Sequence, residues 1–183
     1  AAGRGEKSRR EEVGREVCRN GETVRAEAIE MNDEVVENRG AIDRAPEVGA
    51  HLPQTVQFVE EKRRVLGYEP RELGGGVVAE LTGEDTGRCI LLRADMDALK
   101  VREKTDLPFR PENGSMHACG HDMHAAMLLG AARLLKAHQS ELQGTVKLVF
   151  QPDEEGFPGA KAMLKAGWLE APEPKAAMAP PGT

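Results

Sequence analysis

Three short stretches of this chain place metal-ligand and acid-base side chains close together. Cys119, His121 and His124 lie within HACGHDMH, which holds three histidines and one cysteine in eight residues. Asp153, Glu154 and Glu155 form an unbroken acidic run, and Asp95 and Asp97 sit two residues apart. Thiolate, imidazole and carboxylate are the usual ligands of zinc and related divalent metals. The spacing lets Cys119 and His121 act together if the segment is an extended lead-in to a helix, whose amino end would favour the thiolate of Cys119. On a strand-like segment Glu154 and Glu155 point apart. One could then bind an ion while the other faces the water that the ion activates, as metal-assisted hydrolysis requires of a general base.

Taken singly, each group has a plainer reading. A histidine at a helix start is ordinarily a cap or a surface group, an acidic run is ordinarily a solvated turn, and a lone cysteine ordinarily packs. Their joint placement argues otherwise, because each group follows an element that looks buried. Asp95 and Asp97 follow the apolar run CILLRA, and the acidic run follows TVKLVF. HACGHDMH opens a segment, His121 to His138, whose apolar residues surround nearly the whole helical circumference and predict deep burial. In α/β sheets, sites form beyond the carboxyl ends of strands and beside helix amino ends. All three groups can therefore meet at one sheet edge.

The other elements follow from periodicity and breakers. Residues 1–21 are charged and predict a frayed or disordered extension, leaving residues 22–183 as the domain. Helix spacing runs from Glu22 to Arg44, weakened near Gly40 and ended by Ala45-Pro46-Glu47. A second helix opens at Pro53, with Val56, Val59, Arg63 and Leu66 on one face and a stop at Gly67. Val77–Leu81 and Arg88–Ala94 read as a strand hairpin around GEDTG, with CILLRA covered on both faces. A long polar loop runs from Asp95 to Met116. A strand over Thr145–Phe150 and a short helix over Gly159–Lys165 follow. The class is α/β, with helices packed on a largely covered sheet.

Bulk properties exclude several alternatives. The formal charge of -6 over 183 residues gives no basic surface for nucleic acid. No apolar run approaches the roughly 20 residues of a membrane helix, and the polar first residues show no secretory signal. Cys18, Cys89 and Cys119 are too few and too uneven for a disulfide framework, so a cytoplasmic setting is the expectation. Cys119 as a thiol nucleophile is disfavoured, since His121 is too close in sequence for a spatially assembled pair.

At these residues the chain resembles a known family. LLRADMDAL, GSMHACGHDMHAAMLLGAARLL and VKLVFQPDEEGFPGAKAML look like successive motifs of the metallopeptidase-like amidohydrolases that include hippuricase, indoleacetyl-amino-acid hydrolase, aminobenzoyl-glutamate hydrolase and N-acyl-amino-acid amidohydrolase. The similarity runs from about Glu34 to Gly182. It implies a zinc-peptidase-like sheet, incomplete at its C-terminal end, and two divalent metal ions, zinc or manganese, in the complete enzyme. Cys119 and His121 match metal ligands of the family's CGHD motif. Glu155 matches a ligand and Glu154 the general base of its QPAEEG motif. Asp97 matches an aspartate that orients the metal cluster. The implied reaction is hydrolysis of the amide bond of a small-molecule N-acyl amino acid, with the complete enzyme a homo-dimer or homo-oligomer.

The chain also departs from the pattern. Asp43 stands where the family usually has His, and Lys100 where it has Pro. His117 and His124 match positions near the site without an assigned role. No His follows His138, whereas the family has two further metal-binding His. The chain is thus expected to be the first part of a catalytic domain, lacking the inserted dimerisation domain, and by itself inactive or nearly so. The alternative is a non-catalytic remnant that binds metal or a partner.

Overall fold

In the computed structural model, residues 21–180 are described. The charged extension expected over residues 1–21 falls, apart from Gly21, outside them. The chain divides at Asp33 and Glu34 into two units. In the first, residues 21–30 are helical, with a turn at Met31. Helix α1, Asn32–Asp43, leads into the second unit, which holds all the remaining elements. The helical stretch therefore breaks at Met31, and it runs through Gly40, where only a weakening was expected. Gly40 is instead a contact point: a Cβ there would lie 3.4 Å from the Phe109 ring.

Helix α2, Pro53–Val65, starts at its proline as expected and is capped from outside. The Glu47 carboxylate accepts the Thr55 N–H at 2.9 Å and the Thr55 hydroxyl at 3.0 Å, placing a negative charge at the helix amino end. Strands β1, Arg71–Leu73, β2, Gly76–Thr82, and β3, Glu84–Asp95, follow. Helix α3, His121–Ala137, precedes β4, Gln143–Gln151, then helix α4, Pro158–Lys165, and β5, Ala176–Met178.

The five strands form one sheet in the order β1-β2-β4-β3-β5. β2 and β3 are consecutive but do not pair as a hairpin. β4 lies between them, antiparallel to β2 and parallel to β3. The reason is burial: eight of the nine β4 residues are buried, including Val146, Leu148, Val149 and Phe150. Such a strand is most stable at the sheet centre, where both faces are covered. The parallel β3–β4 pair in turn requires a crossover, supplied by α3.

Helices cover both faces. On one, Val56 and Val59 of α2 and Ala125, Leu128, Leu129 and Ala132 of α3 pack on Val77, Ala79, Leu81, Val146, Leu148 and Phe150. Alanines at 0% exposure let α3 approach the sheet closely. On the other, Met163 of α4 and Trp168 pack on Val78, Leu91 and Val149. Lys147 crosses this second layer, its ammonium donating to the carbonyls of Trp168, Glu170 and Pro172 at 3.1, 2.7 and 3.0 Å.

Two burial expectations need correction. CILLRA is not covered on both faces, because Ile90 is 41% exposed beside the short edge strand β5. Helix α3 is not buried all round, since Met123 and Met127 face outward. No helix among the described residues is long and apolar enough to cross a membrane.

Candidate metal centre

The carboxyl ends of β3 and β4 and the amino end of α3 converge. Met96 N–H donates to the Gln151 carbonyl at 2.9 Å, so the two strands stay in register to their ends. The long loop after β3 is pinned rather than free. Val48 bridges Ala98, Leu99 bridges Met116, and Ala98 N–H donates to the Glu47 carbonyl.

The lead-in to α3 is a tight turn, not the extended segment the spacing suggested. Ala118 and Cys119 form the turn, and Gly120 adopts φ +78 before the helix begins at His121. That left-handed conformation is cheap only for glycine. Cys119 then lies near Glu155, while His121 opens the helix beside Asp95, Asp97 and Glu154.

His121 is buried, and its Nδ1 donates to the Asp97 backbone carbonyl at 2.8 Å. A carbonyl can only accept, so Nδ1 carries a proton, and in the neutral ring that binds a metal Nε2 presents the lone pair. Nε2 lies 3.6 Å from Asp95 Oδ1 and 3.8 Å from Glu154 Oε2. This is the second-sphere arrangement that orients a histidine for metal binding. Burial alone would lower the His121 pKa, but Asp97 and Asp95 outweigh it and hold it above its ordinary value.

Asp97 is 1% exposed and works through the backbone. Its Oδ1 accepts the Glu154 N–H at 2.9 Å and its Oδ2 the Glu155 N–H at 3.1 Å. Burial would raise its pKa, yet His121 and these two N–H groups keep it below the usual carboxylate value. The segment they hold is a turn, where a strand-like run was expected. Asp153 has φ 52, and a Cβ on Gly156 would lie 2.2 Å from Asp153 Oδ1. Because of the turn, Glu154 and Glu155 do not point apart. Each offers an oxygen that lies with a His121 ring nitrogen inside a 4.8 Å span.

Cys119 lies near Glu155. The Glu155 carboxylate as an acceptor for the thiol, burial, and the charges of Glu155, Glu154 and Asp95 push the thiol up to about 11. The helix amino end therefore does not by itself produce the expected thiolate. The carboxylates dominate, and a cation placed among them would reverse the effect. Glu155 Oε1 is buried with no hydrogen-bond partner. An orphaned carboxylate oxygen, a lone-pair Nε2 and an anion-crowded thiol all fit a divalent cation.

The remaining predicted positions lie around this group. His124 and Asp95 are directly hydrogen-bonded to each other, with Nδ1 to Oδ1 at 2.7 Å. His117 is buried beside Asp122, His121 and Asp97, and neither ring nitrogen has a hydrogen-bond partner. Asp43 is buried elsewhere, next to Asp122, Glu103 and Arg39; burial and the two carboxylates push it up to about 6. Lys100 is exposed. Sequence reasoning missed Arg39, whose Nε donates to Asp122 at 2.7 Å and ties α1 to the first turn of α3. Only the structure shows that pairing.

Residues 91–181 match peptidase family M20/M25/M40. Thermostable carboxypeptidase 1 of Saccharolobus solfataricus is 43% identical over 152 residues, which is 80% of this chain and 39% of that protein. The chain belongs to the M20 family. An IAA-amino acid hydrolase of Arabidopsis thaliana, ILR1-like 5, is 45% identical over 141 residues, 75% of this chain and 32% of that one. Among solved structures, the Bacillus subtilis YXEP protein, described as a dinuclear metal-binding peptidase of the M20 family, superposes with a TM-score of 0.73 at 37% identity. That match covers 75% of this chain and 40% of the other. The chain thus spans about a third to two fifths of the length of these M20 relatives.

Proposed function

We propose that these residues form part of a metal-dependent amidohydrolase acting on N-acyl amino acids and giving a carboxylic acid and an amino acid. The observation that carries the reading is the turn at Glu154 and Glu155. Asp97 holds both backbone N–H groups of that turn, so two carboxylates and His121 face one point. Cys119, His121 and Glu155 are the ligands on this reading. The complete enzyme would hold two divalent ions, zinc or manganese, which when bound polarise the substrate carbonyl and make water more acidic. Glu154, half-buried and 3.8 Å from His121 Nε2, takes the proton from the attacking water and passes it to the departing amine. Asp97 keeps the turn, and with it Glu154, in position. The dinuclear M20 relative supports the pair of ions, and the IAA-amino acid hydrolase supports the substrate class.

The same reading makes residues 22–183 the N-terminal part of a catalytic domain whose complete form is a homo-dimer or homo-oligomer in the cytoplasm. The test has two parts. The complete enzyme should release amino acid from hippurate, an indoleacetyl-amino acid or an aminobenzoyl-glutamate. Glu154→Gln should lower kcat by at least 10²-fold on the scale of general base catalysis while leaving metal content intact. The 183-residue chain alone should show little or no hydrolysis. Hydrolysis that survives Glu154→Gln and vanishes with Cys119→Ser would replace this reading with a thiol mechanism.

A further inference from the structure

Asp95 ends β3 at 4% exposure, and the function proposed above gives it no part. Both of its oxygens are already engaged. Oδ1 accepts the Nδ1–H of His124 at 2.7 Å, and Oδ2 pairs with the Arg93 guanidinium at 2.8 Å. Arg93 Nε donates in turn to Gln151 Oε1 at 3.1 Å. The chain Gln151, Arg93, Asp95, His124 therefore ties the ends of β4 and β3 to the first turn of α3. Beyond these ends stand Glu154 and Glu155 after β4 and Asp97 after β3, and His121 opens α3.

The network also touches His121. Its Nε2 lies 3.6 Å from the same Asp95 Oδ1, and its ring stacks on that of His124 with centroids 5.8 Å apart and planes 30° apart. By spacing alone, Asp95, His121 and His124 could hold an ion themselves. The hydrogen bonding argues against it. An ion on Asp95 Oδ1 would displace or share the 2.7 Å bond from His124, while Arg93 already places a positive charge on the other oxygen. A charge-assisted bond of this length is among the stronger ones in proteins.

We propose that Asp95, clamped between Arg93 and His124, is a positioning residue that holds the His124 ring against that of His121 and keeps a negative charge beside the His121 Nε2, without itself binding the metal. The proposal rests on the metal reading of Cys119, His121 and Glu155. An oriented carboxylate beside a ligating histidine typically changes metal affinity by 10–100-fold. His124 acts one step further out, by donating the bond that points Asp95 at His121.

Cobalt(II) titration of the purified chain tests this, followed by calorimetry and visible absorption, with circular dichroism in chelator to confirm folding. The wild-type chain should bind cobalt with thiolate charge-transfer absorption. Asp95→Asn should bind 10–100-fold more weakly, with the same stoichiometry and the same ligand-field spectrum. His124→Ala should weaken binding similarly. His124→Asn, whose amide N–H can take the place of Nδ1–H, should restore most of the loss. Unchanged affinity in both Asp95→Asn and His124→Ala would overturn the proposal. So would a changed ligand-field spectrum in Asp95→Asn, which would make Asp95 a ligand, or a His124→Asn no better than His124→Ala. If Asp95→Asn does not fold, the His124 pair decides. A wild-type chain that takes up no cobalt overturns the metal reading itself, before any variant is compared.

Discussion

Asp97→Asn removes one oxygen and one charge from the group that holds the Glu154–Glu155 turn. In the wild type, two backbone N–H groups donate to two carboxylate oxygens, at 2.9 and 3.1 Å, in a site only 1% exposed. An asparagine offers one oxygen and one NH2. Whichever way it flips, one N–H meets another donor. A bond to a charged acceptor contributes about 1.5–3 kcal/mol, and a buried unsatisfied donor costs about 1–3 kcal/mol. We expect a loss of about 3 kcal/mol at pH 7. For a chain of this size that is about 6–12 °C in Tm. Thermal melts by circular dichroism in chelator measure it without interference from metal.

The pH dependence supplies a second check with a definite sign. Asp97 titrates below its ordinary value in the folded chain. Its stabilisation is therefore complete well above the unfolded pKa of about 4, and is lost as pH falls through the lower folded value. The gap between wild type and Asp97→Asn should be constant from pH 7 to about 5 and narrow below about pH 4. Metal affinity at pH 7 should fall with the turn, by about 10–100-fold. A gap under about 1 kcal/mol at pH 7 would refute the reasoning. So would one that does not narrow in acid.

Three further substitutions probe groups away from the metal ligands. Lys147→Met strips the donor from the carbonyls of Trp168, Glu170 and Pro172; urea denaturation should show a loss of about 3 kcal/mol, with cobalt affinity unchanged. Arg63 is 0% exposed between the Tyr68 and Phe150 rings, with none of its side-chain nitrogens hydrogen-bonded. Arg63→Met should be neutral or stabilising by about 1–2 kcal/mol at pH 7. Because burial lowers the Arg63 pKa to about 9, the wild type should gain on the variant as pH rises above 9, which urea midpoints at pH 7 and pH 10 would show. Asp43→Asn should stabilise the chain by about 1–2 kcal/mol at pH 7. Since the Asp43 pKa is raised to about 6, the penalty sets in as pH rises from about 4 to 6; melts at pH 4 and pH 7 should show a gain only at the higher pH.

The sequence was informative where one residue type or one short period decides the outcome. Pro53 opens α2, and the apolar run of α3 gives its extent to within a residue. The convergence of three polar groups at strand ends followed from the general behaviour of α/β sheets. Strand order was not legible locally. GEDTG has the composition of a hairpin turn, yet Glu84 pairs with Gln143 of β4 and not with β2. Nothing within the β2–β3 segment announces a strand some sixty residues later. The burial of TVKLVF was visible, but Lys147 in its middle disguised a strand covered on both faces. That lysine is tolerated because three carbonyls of a later loop receive its ammonium.

The site residues were legible as types, and their geometry was not. Alternation of side chains along a strand predicts that Glu154 and Glu155 diverge, and that rule fails here for a backbone reason. Asp153 takes a positive φ, Gly156 leaves room for the Asp153 side chain, and the chain leaves β4 in a turn. The turn presents two consecutive N–H groups to one carboxylate. In exchange, both glutamate side chains face His121. Asp97 is thus informative as a pair of hydrogen-bond acceptors rather than as an acid, and its partners are main-chain atoms, which no motif of side chains can reveal. The same holds at Cys119 and His121, where the left-handed Gly120 replaces the extended lead-in that the spacing suggested. In this chain the ligand types are written in side chains, but their convergence depends on two main-chain turns.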